Sequence, residues 1–171
     1  MIYIVRHGKT NWNNLGKRQG HANIPLNEEG LRQAYAVKEK LKDIQFDYVF
    51  SSPLDRALST AKIITDKEII VDDRLIERNN GKLEGLVKKE IAKLKRRKDY
   101  SDDNYNVESN IKMQERADSF IKELLENYKN KDILIVSHAG IIINLRCALD
   151  GVPDSILDYY IDNCEIYTYK N

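Results

Sequence analysis

Apolar residues fall into two patterns along the 171 positions of this chain. In the first they form short unbroken runs, Ile2-Tyr3-Ile4-Val5, Tyr48-Val49-Phe50 and Ile133-Leu134-Ile135-Val136, while Glu68 to Val71 is a further strand candidate. Without alternation these runs have no wet face, so they predict strands covered on both sides, as parallel strands are. Glu165 to Tyr169 alternates instead and predicts a closing strand at a sheet edge. In the second pattern apolar residues return at helical spacing. Leu31, Ala34, Val37 and Leu41 follow Asn27, which can cap a helix whose first turn carries Glu28 and Glu29 near the positive end of its dipole. Ala117, Phe120, Ile121, Leu124, Leu125 and Tyr128 form the clearest stripe, behind a cap at Ser109. Ser51-Ser52-Pro53 predicts an N-cap and a first-position proline for a helix running to about Asp66.

Further helices are predicted over 84 to 98, with Leu86, Val87, Ile91 and Leu94 on one stripe, over 141 to 149, and from Pro153 to about Tyr159. Strands alternating with helices predict an α/β fold, here a three-layer α/β/α sandwich around a mainly parallel central sheet. Nothing divides the chain, so residues 1–171 read as a single domain. Between the elements lie a long loop over residues 8 to 26, rich in Gly and Asn, a loop from Arg74 to Gly81, and a polar stretch from Asp99 to Val107. A loop as long as the first is usually functional.

Composition narrows the classes. Apolar and charged fractions of 42% and 32%, ten tyrosines and a formal net charge of +1 describe an ordinary globular protein and give no global reason to expect nucleic acid or a membrane as partner. No apolar run approaches the ~20 residues of a membrane-spanning helix. Cys147 and Cys164 stand alone, outside any zinc or redox spacing, and the opening residues do not resemble a signal peptide, so the expected location is the cytoplasm.

The candidate chemistry sits where the strongest apolar runs end. Two of only three histidines, His7 and His138, close such runs in Arg6-His7-Gly8 and Ser137-His138-Ala139-Gly140. In a parallel sheet those ends share one rim, and ligands bind there. Arg6 and Arg56 are predicted at the same rim, and guanidinium forks suit the oxygens of a phosphoryl group. A helix after His138 adds its positive end. An imidazole held through one nitrogen leaves the other free to attack phosphorus. There is no Walker-type glycine loop and no acidic cluster for Mg²⁺, so side chains would have to supply the cations.

These residues resemble the histidine phosphatase superfamily, also called phosphoglycerate mutase-like, over nearly the whole chain. Arg6-His7-Gly8 resembles its signature triplet, and Thr10-Asn11-Trp12-Asn13 with Gln19-Gly20 its continuation. Pro25-Leu26 with Gly30 resembles the entry to its first helix, and Ser51 to Ala57 its second arginine motif. Leu75-Ile76-Glu77 with Gly81 and Glu84-Gly85 resembles its acid motif, and Glu108-Ser109 and Val136 to Gly140 complete the series. The resemblance implies a phosphohistidine on His7, with Arg6, Arg56 and His138 holding the phosphoryl oxygens and Asn13 orienting them. It implies that Glu77 protonates the departing oxygen and then takes a proton from water. Lys9, Thr10, Gln19, Gly20 and Ala139 are the further candidates for substrate binding.

The implied activity is hydrolysis of small cytosolic phosphomonoesters, without metal or other cofactor, with the phosphorylated metabolite or inorganic phosphate as the small-molecule partner. The rivals are a phosphoglycerate mutase and a non-catalytic module that binds phosphorylated ligands. One departure stands out: family members commonly carry Glu or Gln after the triplet, whereas this chain has Lys9, which would add positive charge near the pocket. Residues 86–107 are the expected pocket cover, although the basic run from Lys88 to Lys98 also reads as a solvated helix face. His21 reads as a loop residue, Trp12 as a packing anchor, and Asn163 receives no role. Oligomeric state stays open, the closing strand offering one pairing edge.

Overall fold

In the computed structural model, which describes residues 1–94, 103–151 and 161–171, the unbroken apolar runs lie side by side in one five-stranded sheet. The strands are β1 (Ile2–Arg6), β2 (Tyr48–Ser51), β3 (Ile69–Val71), β4 (Ile133–Ser137) and β5 (Ile166–Tyr169), in the order β3-β2-β4-β1-β5. β1, β2, β3 and β4 are parallel to their neighbours, and only β5 runs antiparallel, beside β1. The alternating sequence of β5 is accordingly that of an edge strand. All five residues of β4 are buried, as its unbroken apolar run requires.

Helices cover both faces. On one face Ile2, Ile4, Phe50, Ile133 and Ile135 pack with Met113, Ala117, Phe120, Ile121 and Leu124 of α5 (Asn110–Asn127) and with Ile141, Ile142 and Leu145 of α6 (Ala139–Asp150). On the other, Val5, Val49, Leu134 and Val136 meet Ala34 and Val37 of α2 (Glu28–Lys40) and Ala57, Ala61 and Ile64 of α3 (Asp55–Ile64). Successive residues of one strand thus feed opposite layers, which is the sandwich that the pattern predicted. The Asn27 and Ser109 caps form as expected, accepting from Gly30 N and Lys112 N. Leu31 and Leu125, counted in the apolar stripes, are exposed at 40% and 37%.

Three expectations are corrected. The loop over 8–26 contains a short helix, α1 (Asn11–Asn14), closed by a reciprocal Thr10–Asn13 capping box that its Asn-rich composition concealed. α3 starts two residues after Pro53, because its cap comes from elsewhere: Asp55 N donates to Asn23 Oδ1 (2.9 Å), and Asn23 Nδ2 returns a bond to Asp55 (2.8 Å). Among the described residues of 84–98 only α4 (Lys88–Ile91) is helical. Leu86 and Val87 are held instead by the first loop, through Arg18 N to Leu86 O (2.9 Å) and a bridge between Lys17 and Val87. Residues 95–102 of the expected pocket cover, with the basic run Lys95-Arg96-Arg97-Lys98, and the helix expected from Pro153 lie outside the described residues.

The connection leaving β1 runs to the α2 layer, and the one leaving β4 runs to the α6 layer. β1 and β4 are neighbours, so their C-terminal ends open a crevice between diverging chains, the usual ligand position of such sheets. No helix among the described residues is long and apolar enough to cross a membrane.

Candidate active site

The register pairs Arg6 with Ser137, which brings the next residue of each strand, His7 and His138, to the mouth of that crevice. Their ring centroids are 5.0 Å apart. His7 is 3% exposed, and its Nδ1 lies 2.7 Å from the carbonyl of Gly8. A carbonyl only accepts, so Nδ1 carries the proton and Nε2 keeps its lone pair. Burial, then the charges of Arg56 and Arg6, hold the His7 pKa well below its ordinary value, so the ring is neutral at neutral pH. Its backbone is fixed from both sides, by His7 N to Ser137 O (2.9 Å) and by Asn163 Nδ2 to His7 O (2.9 Å). Gly8 is required beside it: a Cβ there would stand 2.4 Å from the Gly30 carbonyl oxygen.

Arg56, in the first turn of α3, is a fully buried cation. It donates to His138 Nδ1 from Nε (3.2 Å), to the Ala22 carbonyl from Nη1 (2.8 Å) and to the Gly20 carbonyl from Nη2 (2.8 Å). Burial pulls its pKa down to about 10, against the attraction of Glu77 and Glu84, and it stays protonated at neutral pH. Because Nδ1 of His138 accepts from Arg56, its proton sits on Nε2, which donates to Ser52 Oγ (2.7 Å). Burial and Arg56 keep His138 neutral as well. Arg6 extends from the end of β1 and donates from Nη1 to Ile161 O (2.5 Å).

Glu77 reaches the rim from the segment after β3. Its Oε1 accepts from Arg78 N (2.8 Å) and its Oε2 from Gly140 N (3.1 Å), in the first turn of α6. A carboxylate at this helix start is favoured by the dipole. Only glycine allows so close an approach, since a Cβ at position 140 would stand 2.3 Å from Glu77 Oε1. Glu84 performs a related task beneath: it accepts from His21 N (2.8 Å) and packs against Gly20, whose φ is +54° and whose missing Cβ would fall 2.2 Å from the carboxylate. The Gly20 carbonyl is thereby presented to Arg56.

The structure therefore gathers Arg6, His7, Arg56, Glu77 and His138 around the β1–β4 crevice. Thr10 is fully buried, accepting from Asn13 N (3.2 Å) and bonding Gln19 Oε1 (2.9 Å), while Asn13 Oδ1 accepts from Thr10 N (3.0 Å). This fixes Asn13 and Gln19 in the loop that follows the nucleophile candidate. Ala139 opens α6. Lys9 departs from expectation: its amine pairs with Glu29 of α2 (2.6 Å), so the extra positive charge is neutralised on that helix.

Sequence reasoning missed Ser52, read as a helix cap but engaged with His138, and Asn163, which holds the His7 carbonyl. It also missed His21, whose Nε2 meets the Glu77 carbonyl (2.9 Å), and Arg116. Each acts on a partner distant in sequence, although Ser52 stood inside the second arginine motif.

Comparison with known proteins bears on the same constellation. The chain is 36% identical over 157 residues to phosphoglycerate mutase-like protein 4 of Arabidopsis thaliana, covering 84% of this chain and 68% of that protein. It is 37% identical over 154 residues to the uncharacterized phosphatase PhoE of Bacillus subtilis, covering 88% and 77%. In three dimensions it resembles the crystal structure of phosphoserine phosphatase from Entamoeba histolytica in complex with 3-phosphoglyceric acid, with a TM-score of 0.82 and 30% identity over 96% of this chain and 87% of that one. A paired-histidine rim at the crevice of a mainly parallel sheet, these relatives, and a family match over residues 2–170 agree: the chain belongs to the histidine phosphatase superfamily, branch 1.

Proposed function

We propose that this chain is a phosphomonoesterase that hydrolyses small phosphorylated metabolites through a phosphohistidine on His7. The observation that carries the reading is the His7 Nδ1–H bond to the Gly8 carbonyl, which leaves Nε2 as a buried, unprotonated nucleophile beside two arginines. Nε2 attacks phosphorus while the P–O bond to the leaving group breaks, and the Glu77 carboxylic acid gives its proton to the departing oxygen. Water then attacks the phosphohistidine, Glu77 takes the proton of that water, and the electron pair of the N–P bond returns to Nε2.

Arg6 and Arg56 would balance the phosphoryl charge; Arg56 offers the N–H donors not engaged by His138, Ala22 and Gly20. Asn13, with its Oδ1 held by Thr10, offers its amide donors. His138 is held through Arg56 and Ser52 and can turn its Nε2–H from Ser52 to a phosphoryl oxygen. No step calls for a metal or organic cofactor. Relatives named phosphoserine phosphatase, and the Entamoeba structure holding 3-phosphoglyceric acid, put small phosphorylated acids first among substrates to try.

The test is chemical quenching during turnover of an aryl phosphate. The expected result is a phosphoprotein stable to base and labile to acid, absent in His7→Ala. Turnover with no trapped phosphoprotein, or trapping that survives His7→Ala, overturns the reading.

A further inference from the structure

The segment that carries Glu77 is tied down in an unusual way. Residues 74–77 belong to no strand, and side chains from three other elements meet their four successive carbonyls. Arg116 Nη1, from α5, donates to Arg74 O and to Ile76 O, each at 2.6 Å. Ser137 Oγ, at the end of β4, donates to Leu75 O (2.6 Å), and His21 Nε2 meets Glu77 O (2.9 Å). Arg116 is itself oriented by Glu108 through a two-point pair, Nε to Oε1 at 2.9 Å and Nη2 to Oε2 at 3.1 Å, with side chains only 16% and 15% exposed. Glu108 continues the grip past Glu77: its Oε2 accepts from Asn79 N (3.2 Å) and its N–H donates to Asn79 O (2.8 Å).

One guanidinium and one carboxylate thus bracket Glu77 from residue 74 to residue 79. Glu77 points the other way, onto Gly140 N. We infer that Arg116, held by Glu108, is a positioning residue that fixes where the Glu77 carboxyl delivers its proton. This rests on the reading of Glu77 as proton donor. The geometry explains why arginine is needed: a flat fork can meet two carbonyls along one edge and a carboxylate along another, whereas a lysine ammonium is a single point. Without it, two carbonyls lose their donor and the segment is free to shift by up to about 1 Å. Proton transfer tolerates such shifts poorly, whereas attack by His7, seated on β1, does not depend on this segment.

The experiment compares kcat/KM for an alkyl and an aryl phosphomonoester in Arg116→Met, Arg116→Lys and Glu77→Gln. This constant reports steps up to leaving-group departure, and only the alkyl leaving group needs a proton. Arg116→Met is expected to lose about 10²-fold on the alkyl ester and less than about threefold on the aryl ester, with Arg116→Lys between the two. Retained aryl activity shows in the same assay that each variant has folded. Equal losses on both esters, or none on either, while Glu77→Gln remains selective, overturn the positioning role alone. Equal losses in Glu77→Gln remove the proton-donor reading, and the inference falls with it.

Discussion

Replacing Gly140 by alanine should separate stability from chemistry. An alanine Cβ would lie 2.3 Å from Glu77 Oε1 and 3.1 Å from its Cδ. The atoms in its way are the end of a flexible side chain, so the carboxylate retreats by about 1 Å while the backbone stays, and a displacement of that size costs on the order of 10²-fold in a positioned reaction. That loss corresponds to about 2.7 kcal/mol in the barrier. Stability should barely change. Alanine in place of glycine near a helix start contributes up to ~1 kcal/mol, and the lost bond from Gly140 N to Glu77 Oε2 takes away a similar amount. The expected melting shift is therefore within about 4 °C in either direction. The assay is kcat/KM on paired alkyl and aryl phosphomonoesters, with melting followed by circular dichroism. Undiminished alkyl activity would show that the carboxylate position beside Gly140 is not the working one. Equal loss on both esters at unchanged melting would mean that the methyl obstructs the phosphoryl group instead.

The two rim histidines predict an acid-side loss of stability. Burial holds both folded-state pKa values well below 6.5, so as pH falls through 6.5 the unfolded chain binds protons that the folded chain refuses; stability is full above that value and declines below it, at up to about 1.4 kcal/mol per pH unit for each ring. Denaturant titrations between pH 7 and 5 should show a shallower decline in His7→Gln than in the native protein, and identical slopes would contradict neutral burial of His7. Lys9→Gln should leave KM for acidic phosphomonoesters within about twofold and stability within ~1 kcal/mol, because the amine is paired with Glu29 at the surface; a tenfold rise in KM would place its charge back in the pocket. Phe120→Ala should lower unfolding free energy by about 3–5 kcal/mol, since Phe120 is 2% exposed and stacks edge-on against Phe50, and a loss below about 1 kcal/mol would mean that this layer repacks.

Much of the fold was legible because burial leaves a mark on local sequence. β1 and β4 announced themselves by unbroken apolar runs, and α2 and α5 by stripes that begin behind Asn27 and Ser109. Where the cause lies far along the chain, sequence reading went astray. α3 starts late because Asn23 caps it, and the stripe over 84–98 misled because Leu86 and Val87 are shared with the backbone of Lys17 and Arg18. The site divides in the same way. His7, Arg56 and His138 adjoin strand ends, so topology alone brings them together. Arg116, Asn163 and Ser52 could not be assigned, because each is defined by a bond to a residue 40 or more positions away. The pairing of Lys9 was hidden for a milder form of the same reason, its partner Glu29 being one loop distant.

The hydrogen bonds that end at β1 also impose a timetable. Ile2 to Arg6 pair with Ile133 to Ser137 and with Ile166 to Tyr169, and the carbonyls of Arg6 and His7 are taken by Cys164 and Asn163. At a synthesis rate of ~5–20 residues per second, β1 waits on the order of 10 s for its first partner strand. Throughout that interval a nascent chain on the ribosome carries an apolar strand with no neighbour on either side, a natural client for a holding chaperone. It also carries the whole Arg-His-Gly triplet without a seat for it. A growing chain therefore carries His7 well before the groups that hold its backbone, which are complete only when residues 163 and 164 arrive.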